Sequence, residues 1–436
     1  MTISFNDAVR ALDQRTNLEA SGRLTAPTLE RMRALIDVIG SPHEAHAVIS
    51  VTGTNGKSTA ALAASALLAE TGLRVGTYLS PHVSTIRERI RYDLEPISEA
   101  DFAVAWEELE PILAFCDERV GTITWFEAMT ALAFLIFADR GVDIAVCEVG
   151  MGGTWDATSV ADAAVALCLE VGSDHPVLGD TLVEKAGEKA GIIKPGSTLV
   201  LGAQREPAVA EVFRARAHEL DVPIVEEPVG WELDRAALAL AGQALTFRLG
   251  GRRYEDVFLP MFGERNAAAA VAGFAAAHAF LGQTKLDDDL VARAMRRVTL
   301  PGRLEVLRRE PLVLLDGAHN PEAARALAAT VPTSFRYGSL HLILGAMRDK
   351  DLDGIVRALA PLAARVTCVQ VDWPRAAAPD ELAEIVRRHT DVPVEIGDHP
   401  REALEAAIAA AEPLDAILVA GSLYLAGAVR VRERSS

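Results

Sequence analysis

The sequence has few cysteines, no long apolar run and no excess of positive charge. Its four cysteines, Cys116, Cys147, Cys168 and Cys368, form no CxxC pair, which argues against a metal cluster or a disulfide framework and favours a reducing compartment. The first residues lack the apolar core of a signal peptide. No stretch of about 18 apolar residues predicts a membrane span. We therefore expect a cytoplasmic protein without a membrane segment.

The charge balance excludes further classes of partner. The formal net charge is -18 at pH 7, which disfavours binding to nucleic acid or to an anionic membrane surface. An anionic ligand must therefore be held by a local site. Arginine greatly outnumbers lysine, so each lysine is informative, and several fall in motif-like stretches: Lys57, Lys189, Lys194 and Lys350.

What the sequence does contain is an alternation of strand and helix patterns over 436 residues, a length that fits two or three domains. The expected strands are 47–51, 74–79, 143–149, 164–171, 197–201, 312–315, 341–344, 365–371 and 416–420. Residues 231–259 are richer in β signals and predict a small antiparallel sheet. The pattern predicts an α/β fold with two doubly wound domains, 1–297 and 298–436, and a cleft between them.

The segment TGTNGKST at 52–59 follows a strand and opens a helix, which is the setting of a phosphate-binding loop. Its glycines let backbone N–H groups approach phosphate oxygens, and the helix N-terminus favours an anion. Lys57 can reach the outer phosphates, and Ser58 or Thr59 can offer a hydroxyl to Mg²⁺. Val51 replaces the first glycine of the strict Walker pattern, so an ordinary glycine-rich turn is the alternative. The loop alone does not name a reaction, because kinases, GTPases, motors and ligases share it.

Further motifs follow the phosphate loop along the chain. They are SPH at 80–82, FE at 126–127, EVGMGG at 148–153, DAT at 156–158, DH at 174–175, EKAGI at 188–192, PGR at 301–303, DGAHNP at 316–321, GAMRDKD at 345–351 and GSLYLAG at 421–427. In this order they resemble the folylpolyglutamate synthase and dihydrofolate synthase family, within the Mur ligase superfamily. The resemblance covers nearly the whole chain. It implies an N-terminal P-loop ATPase domain of the Mur ligase type and a C-terminal Rossmann-like ligase domain.

The resemblance also implies an activity. The enzyme would use ATP to add L-glutamate to a reduced folate through an acyl phosphate, and it would accept dihydropteroate as a second substrate. The implied cofactor is Mg²⁺, as two ions, and the expected state is a monomer without nucleic-acid or membrane partners. Two alternatives stay open: a Mur-type ligase acting on a peptidoglycan precursor, and a nucleotide-switched ATPase without ligase activity.

The family's functional residues have matching positions in this chain. The implied ATP-binding residues are Thr54, Asn55, Gly56, Lys57, Ser58, Asn266, Arg303 and Asp316. The implied Mg²⁺ ligands are Ser80, Glu148 and His175. The implied acceptor contacts are Thr124, Glu127, Trp155, Asp156 and Ala157. The implied catalytic residues are Lys189, as a carbamate that holds a second Mg²⁺, and His319 in a supporting role.

Several of these residues also have a purely structural interpretation. Glu127 could be an acid that the dipole favours at a helix N-terminus, Asp156 could cap a loop, and Lys189 alone would be a surface lysine. Thr154 and Ser159 replace the Arg and Asn that the family often has beside Asp156. A folylpolyglutamate synthase that does not accept dihydropteroate is therefore a further alternative.

Overall fold

The computed structural model describes residues 3–17, 28–173, 176–282 and 284–430. Within them, the expected α/β fold is confirmed, with three sheets connected by helices. Short 3-10 helices also occur at Pro42–Ala45, Ile86–Arg89, Ala157–Val160, Pro176–Leu178, Ala190–Ile192 and Ala360–Leu362. No helix in the described ranges is long and apolar enough to cross a membrane. The four cysteines are buried and unpaired.

The first sheet has eight strands. They are β1 Ala47–Thr52, β2 Val75–Tyr78, β3 Ile90–Tyr92, β4 Glu95–Pro96, β5 Ile144–Glu148, β6 Val165–Cys168, β7 Thr198–Leu201 and β8 Ile224–Glu226. Their spatial order is β4-β3-β2-β5-β1-β6-β7-β8, and all pairs from β2 to β8 in this order are parallel. The carboxyl ends of β1, β2, β5 and β6 therefore meet at one edge, where open parallel sheets bind ligands.

Helices cover both faces of this sheet, as its apolar strands require. They are α1 Phe5–Asp13, α2 Glu30–Val38, α3 Lys57–Glu70, α4 Glu99–Val120, α5 Trp125–Asp139, α6 Leu182–Lys189, α7 Pro207–Glu219, α8 Glu264–Phe280 and α9 Asp288–Arg296. In β1, Ile49 and Val51 pack with α3 and α8, whereas Val48 packs with α4 and α5. The alanine-rich α3 and α8 approach closely, and a Cβ on Gly273 would lie 2.1 Å from the Ala60 carbonyl oxygen.

A three-stranded antiparallel sheet follows, which confirms the β-rich excursion expected at 231–259. Its strands are β9 Trp231–Ala239, β10 Gly242–Leu249 and β11 Arg252–Leu259. Phe247 of β10 is buried and lies edge-on to Phe274 of α8, with ring centroids 6.3 Å apart. The small sheet therefore extends the core around α8.

The third sheet has six strands and forms the C-terminal lobe. Its strands are β12 Glu305–Arg309, β13 Leu312–Leu315, β14 Leu340–Leu344, β15 Arg365–Val369, β16 Val394–Gly397 and β17 Ala416–Ala420. Its helices are α10 Pro321–Ser334, α11 Leu352–Leu359, α12 Pro379–His389, α13 Pro400–Ala410 and α14 Leu423–Val429.

The C-terminal lobe has the expected doubly wound arrangement. The strand order is β12-β13-β17-β14-β15-β16, and only the β12–β13 pair is antiparallel among these described strands. Leu314 and Val313 show the two covered faces, because Leu314 packs with α10, α11 and α12 while Val313 packs with α13 and α14. The predicted domain boundary at residue 298 falls between Arg296, the end of α9, and Glu305, the start of β12.

Candidate active site

A cavity of about 710 Å³ lies where the carboxyl edge of the first sheet faces the C-terminal lobe. It brings together nearly all of the site residues predicted from the sequence. Those that line it are Thr54, Asn55, Gly56, Lys57, Ser58, Ser80, Thr124, Glu127, Glu148, Trp155, Asp156, Ala157, Asn266, Arg303, Asp316 and His319. Lys189 instead contacts the phosphate loop from the protein interior. His175 lies outside the described residues.

The phosphate loop is shaped by two glycines that no other residue could replace without strain. Gly56 precedes α3 with φ of 84°, a left-handed conformation that glycine adopts freely. A Cβ on Gly53 would lie 2.7 Å from the Cβ of Leu169, so the loop can sit against the end of β6 only with glycine there. Lys57 donates from Nζ to the Gly53 carbonyl oxygen at 3.3 Å. The loop therefore presents backbone N–H groups and an ammonium at one end of the cavity.

Two oxygen-bearing side chains meet beside this loop. Glu148 ends β5 and Ser80 follows the neighbouring strand β2, and the Ser80 amide donates to Glu148 Oε2 at 3.1 Å. Burial raises the pKa of the Glu148 carboxyl, while the Lys57 ammonium and the Ser58 hydroxyl oppose that rise. Carboxylate and hydroxyl oxygens are ligands that Mg²⁺ accepts.

The described residues contain no group of three His, Cys, Asp or Glu that could hold a metal ion. Among the described residues, the Ser80 and Ser58 hydroxyls could join Glu148 in the shell of a divalent cation, with water and phosphate oxygens as further ligands. Mg²⁺ keeps several waters and binds through one or two carboxylates plus phosphates in many enzymes. The residues present fit such an ion.

Lys189 is buried, with 2% of its surface exposed, at the end of α6. Its Nζ donates to the Gly53 carbonyl oxygen at 3.1 Å, so it reaches the same oxygen as Lys57. The alternative of a surface lysine is therefore wrong. A buried ammonium beside a second ammonium is unfavourable, and conversion to an anionic carbamate would remove that repulsion.

Thr124 and Glu127 form a capping box at the N-terminus of α5. The amide and the hydroxyl of Thr124 each donate to Glu127 Oε2 at 2.8 Å. Arg31 of α2 lies on the other side of the carboxylate, with its Nη2 3.1 Å from Glu127 Oε1. Glu127 therefore has the structural role of a helix-capping acid, and it also lines the cavity.

Asp156 likewise caps a local backbone segment and lines the cavity. Its Oδ1 accepts from the amide and the hydroxyl of Thr158, at 3.0 and 2.7 Å, and its Oδ2 accepts from the Met151 amide at 2.9 Å. Burial raises the pKa of Asp156, and these hydrogen bonds oppose that rise. The cap alternative is confirmed, because both carboxylate oxygens are engaged by the loop itself.

Thr154 and Ser159, which depart from the family pattern, both make hydrogen bonds that hold the loop carrying Asp156. The Thr154 amide donates to Glu188 Oε1 at 3.0 Å, and its hydroxyl donates to the Glu188 carbonyl oxygen at 3.1 Å. The Ser159 hydroxyl donates to the Gly153 carbonyl oxygen at 2.5 Å. Thr154 therefore joins the Asp156 loop to α6, the helix that ends at Lys189.

The C-terminal lobe contributes Arg303, Asp316 and His319. Asp316 accepts from the Leu304 amide at 2.7 Å, and burial raises the pKa of Asp316 against the opposing charge of Arg303. Burial, followed by the positive charge of Lys350, lowers the pKa of His319 to about 4. His319 Nδ1 lies 2.9 Å from the Gly317 carbonyl oxygen, which can accept only from a protonated Nδ1. The imidazole is therefore neutral at pH 7.

Direct contacts join the two lobes around the cavity. Asn320 donates from Nδ2 to Asn55 Oδ1 of the phosphate loop at 3.1 Å. Ser173, which precedes the undescribed residues 174–175, donates from Oγ to Glu322 Oε1 at 2.7 Å. On the SPH side, a Cβ on Gly427 would lie 2.1 Å from the Val83 carbonyl oxygen.

Some lining residues were not singled out as site residues from the sequence. Arg31 lies in α2, where no motif marked it. Lys350 lies in the GAMRDKD motif, and Tyr424 lies in GSLYLAG and stacks on Trp373 with ring centroids 4.0 Å apart. The two motifs could have pointed to Lys350 and Tyr424, whereas Arg31 is placed only by the tertiary fold.

Comparison with known families and proteins agrees with this geometry. The Mur ligase middle domain matches residues 51–277, and the Mur ligase glutamate ligase domain matches residues 302–423. The chain is 38% identical to a dihydrofolate synthase/folylpolyglutamate synthase of Mycobacterium tuberculosis, over 93% of this chain and 89% of the relative.

A haloarchaeal relative is longer. It is a probable bifunctional folylpolyglutamate synthase/dihydropteroate synthase of Haloferax volcanii, 37% identical over 93% of this chain, and the chain spans only 48% of its length. Among solved structures, folylpolyglutamate synthase of M. tuberculosis complexed with ADP superposes with a TM-score of 0.91 at 36% identity, covering 98% of this chain and 97% of that one. The chain therefore belongs to the folylpolyglutamate synthase and dihydrofolate synthase family of Mur ligases, and it is an ATP-dependent ligase.

Proposed function

We propose that this ligase joins L-glutamate to the carboxylate of a reduced folate, and that dihydropteroate is a second acceptor. The observation that carries the proposal is one cavity with a phosphate loop at one end and the predicted acceptor stretches, 124–127 and 155–157, at the other. The M. tuberculosis relative bears both activities in its name. That name also favours a folate over a peptidoglycan precursor as the acceptor.

The reaction needs an activated carboxylate, because a free carboxylate is a poor electrophile. Transfer of the γ-phosphoryl group of ATP to the acceptor gives an acyl phosphate, and attack by the glutamate amine gives the amide and releases phosphate. Such a transfer depends on positioning and on charge neutralisation. In this chain, positioning and charge neutralisation would come from the backbone N–H groups of 54–57 and from the side chains of Lys57 and Arg303.

Glu148, Ser80 and His175 are the residues that would hold Mg²⁺. When bound, Mg²⁺ neutralises phosphate charge during transfer. We infer that Lys189 works as a carbamate and holds a second ion, which its burial beside the Gly53 carbonyl supports.

The neutral imidazole of His319 is in a tautomer that can bind the glutamate substrate. With Nδ1–H donating to the Gly317 carbonyl, Nε2 of the neutral imidazole is a hydrogen-bond acceptor. It can therefore accept a hydrogen bond from the free amine of glutamate and orient the nitrogen that attacks. A pKa of about 4 makes the imidazole a weak base, so the proposed role is orientation rather than proton removal.

Residues from both lobes line the cavity, so lobe closure would shield the acyl phosphate from water. One chain supplies every group named above, and we propose that a monomer is active in the cytoplasm. The direct test is ADP release with ATP, glutamate and either tetrahydrofolate or dihydropteroate. Turnover that requires glutamate and occurs with both acceptors is expected.

Other outcomes of this assay separate the alternatives. Turnover of tetrahydrofolate alone would restrict the enzyme to folylpolyglutamate synthesis. ADP release that is independent of glutamate would indicate a switch ATPase. Activity only with a muropeptide acceptor would overturn the folate assignment.

A further inference from the structure

The first turn of α10, in the C-terminal lobe, is held by three separate elements of the N-terminal lobe. Asn320 donates from Nδ2 to Asn55 Oδ1 of the phosphate loop at 3.1 Å. Glu322 receives the other two contacts, because its Oε1 accepts from the Ser173 hydroxyl at 2.7 Å and its carbonyl oxygen accepts from Arg265 Nη2 at 2.7 Å. The start of α10 is therefore docked on the N-terminal lobe beside the cavity.

Asn320 uses both ends of its side-chain amide. Its Oδ1 accepts from the Ala323 amide at 2.8 Å and so caps α10. Since the Ala323 N–H requires an oxygen, the atom that faces Asn55 is the nitrogen donor. The residue is 7% exposed and lines the cavity. One side chain thus fixes both the N-terminus of α10 and its distance from the phosphate loop.

His319 comes immediately before Asn320, in a loop that is held by internal hydrogen bonds. Asp316 Oδ1 accepts from the Ala318 amide at 2.8 Å, at the start of the loop. Nδ1 of His319 is 2.9 Å from the Gly317 carbonyl oxygen. A loop with these bonds moves as one piece, so a shift of Asn320 is carried to the imidazole of His319.

We propose that Asn320 is a positioning residue for the amide-forming step, because it holds the His319 imidazole in place relative to the phosphate loop where the acyl phosphate forms. The inference rests on the proposed function, in which Nε2 of His319 orients the glutamate amine. Attack requires the amine nitrogen to lie within about 3–3.5 Å of the acyl carbon. A small shift of the imidazole would therefore slow this attack. The phosphoryl transfer that precedes it depends on groups that the shift leaves in place.

Two nucleophiles compete for the acyl phosphate. Attack by the glutamate amine at the acyl carbon expels phosphate and gives the amide. Attack by water expels the same phosphate but returns the carboxylate, so ATP is consumed and no amide forms. Only the first attack depends on His319. The positioning role therefore predicts a change in the number of ADP molecules released per amide formed.

Asn320 also caps α10, so its loss could act through the stability of the C-terminal lobe alone. A purely structural role would lower ADP release and amide formation by the same factor, and their ratio would stay at the wild-type value. Serine is as good an N-cap residue as asparagine. Asn320→Ser therefore keeps the cap, but its shorter side chain has no donor that reaches Asn55.

The experiment measures ADP and amide in the same reaction, with ATP, tetrahydrofolate and a range of glutamate concentrations. The wild-type enzyme is expected to release one ADP per amide. Asn320→Ser is expected to release more than one, and the ratio should fall back toward one as glutamate is raised, because the amine then competes better with water. Its kcat/KM for glutamate is expected to fall by about 2- to 10-fold, the scale of one neutral hydrogen bond.

Two further variants complete the design. Asn320→Asp keeps the size of the side chain and the cap but replaces the donor with an oxygen. It is expected to raise the ratio as Asn320→Ser does, and it serves as the test if Asn320→Ser does not fold. Asp287→Asn makes the reverse exchange at the N-cap of α9, which packs against α3 and β11, and it is expected to keep the wild-type ratio.

The outcomes separate this inference from the proposed function. A wild-type ratio in both Asn320 variants, or a ratio that is raised equally in Asp287→Asn, would overturn the inference and leave the ligase activity in place. A raised ratio that glutamate does not lower would also overturn it, since ATP would then be lost without competition between amine and water. Failure of the wild-type enzyme to form amide with tetrahydrofolate or dihydropteroate would remove the proposed function and the inference with it.

Discussion

At the phosphate end of the cavity, Lys57 makes few contacts with the chain itself, whereas at the acceptor end Glu127 and Asp156 accept hydrogen bonds from backbone amides. Lys57 donates to one carbonyl at 3.3 Å. Asp156, in contrast, accepts from two amides and a hydroxyl within 3.0 Å. Side chains of the first kind act on a ligand, and side chains of the second kind also hold the fold. The same substitution should therefore have different consequences at the two ends.

The largest effect is expected at the phosphate end, from Lys57→Ala. Loss of an ammonium aimed at the phosphates should lower glutamate-dependent ADP release by about 10³-fold, the upper range for loss of one preorganised group. The melting temperature should change little, because the side chain makes few internal contacts. Lys285→Ala, at an exposed lysine, is the control. Near-wild-type turnover of Lys57→Ala would remove the phosphate-loop assignment.

Lys189→Ala tests whether the lysine that contacts the phosphate loop from the protein interior is needed for turnover, as Lys57 on the cavity side is expected to be. If Lys189 works as a carbamate, the variant should lose about 10² to 10³-fold in turnover, because a charge at the reacting phosphates is lost. Added short carboxylic acids should restore part of the rate, and they should not raise the rate of Lys57→Ala. Mass spectrometry of the active enzyme checks the modification directly. An active enzyme with an unmodified Lys189 amine would contradict the carbamate.

Glu148→Gln keeps the shape of the side chain and removes its negative charge. Turnover should fall by about 10²-fold, and the Mg²⁺ concentration needed for half-maximal rate should rise. The variant should be at least as stable as the wild type, because burial disfavours the charged form of Glu148. An unchanged rate with unchanged Mg²⁺ dependence would exclude Glu148 from the metal site.

Asp156→Ala, at the acceptor end, should have a larger effect on stability than on turnover. It leaves the amides of Met151 and Thr158 without their acceptor, which should cost about 1–3 kcal/mol of unfolding free energy. Turnover of dihydropteroate and of tetrahydrofolate should fall together and modestly. Denaturant unfolding and kinetics with both acceptors give the two numbers. A larger loss with dihydropteroate would instead give Asp156 a direct contact with the pterin.

The smallest effect at neutral pH is expected from the titration of His319 in the C-terminal lobe. Its pKa is lowered from 6.5 to about 4 by burial, so the unfolded chain binds this proton more readily than the folded one. The stabilisation is fully present above pH 6.5 and is lost as the pH falls toward 4. The total is at most about 3 kcal/mol. His319→Gln should lose less stability over this window, and equal losses in both proteins would contradict the lowered pKa.

The sequence predicted the strand, loop and helix at the phosphate end well, because glycines and a lysine at fixed spacing mark such a loop. The strand expected at 47–51 is Ala47–Thr52 in the structure, and the loop after it follows as expected. The strand expected at 164–171 ends earlier, at Cys168, because the next residues leave the sheet to support the loop. Leu169, for example, packs against Gly53.

The acceptor end was predicted less completely, for a physical reason. Glu127 and Asp156 were named, but their capping contacts depend on local backbone geometry that a motif does not encode. Arg31 reaches Glu127 from 96 positions away in the chain. Such a pair becomes visible only when the packing of α2 against the end of α5 is known.

The contact between Gly427 and the Val83 carbonyl limits how closely the two lobes can approach each other. Backbone meets backbone there, so no rotamer change can bring the two lobes closer on that side. We expect the two lobes to pivot near this backbone contact when they open. The far side, held by the Ser173–Glu322 and Asn55–Asn320 hydrogen bonds, would travel furthest. In Gly427→Ala, the added Cβ would clash with the Val83 carbonyl oxygen. The C-terminal lobe would therefore have to shift relative to the N-terminal lobe.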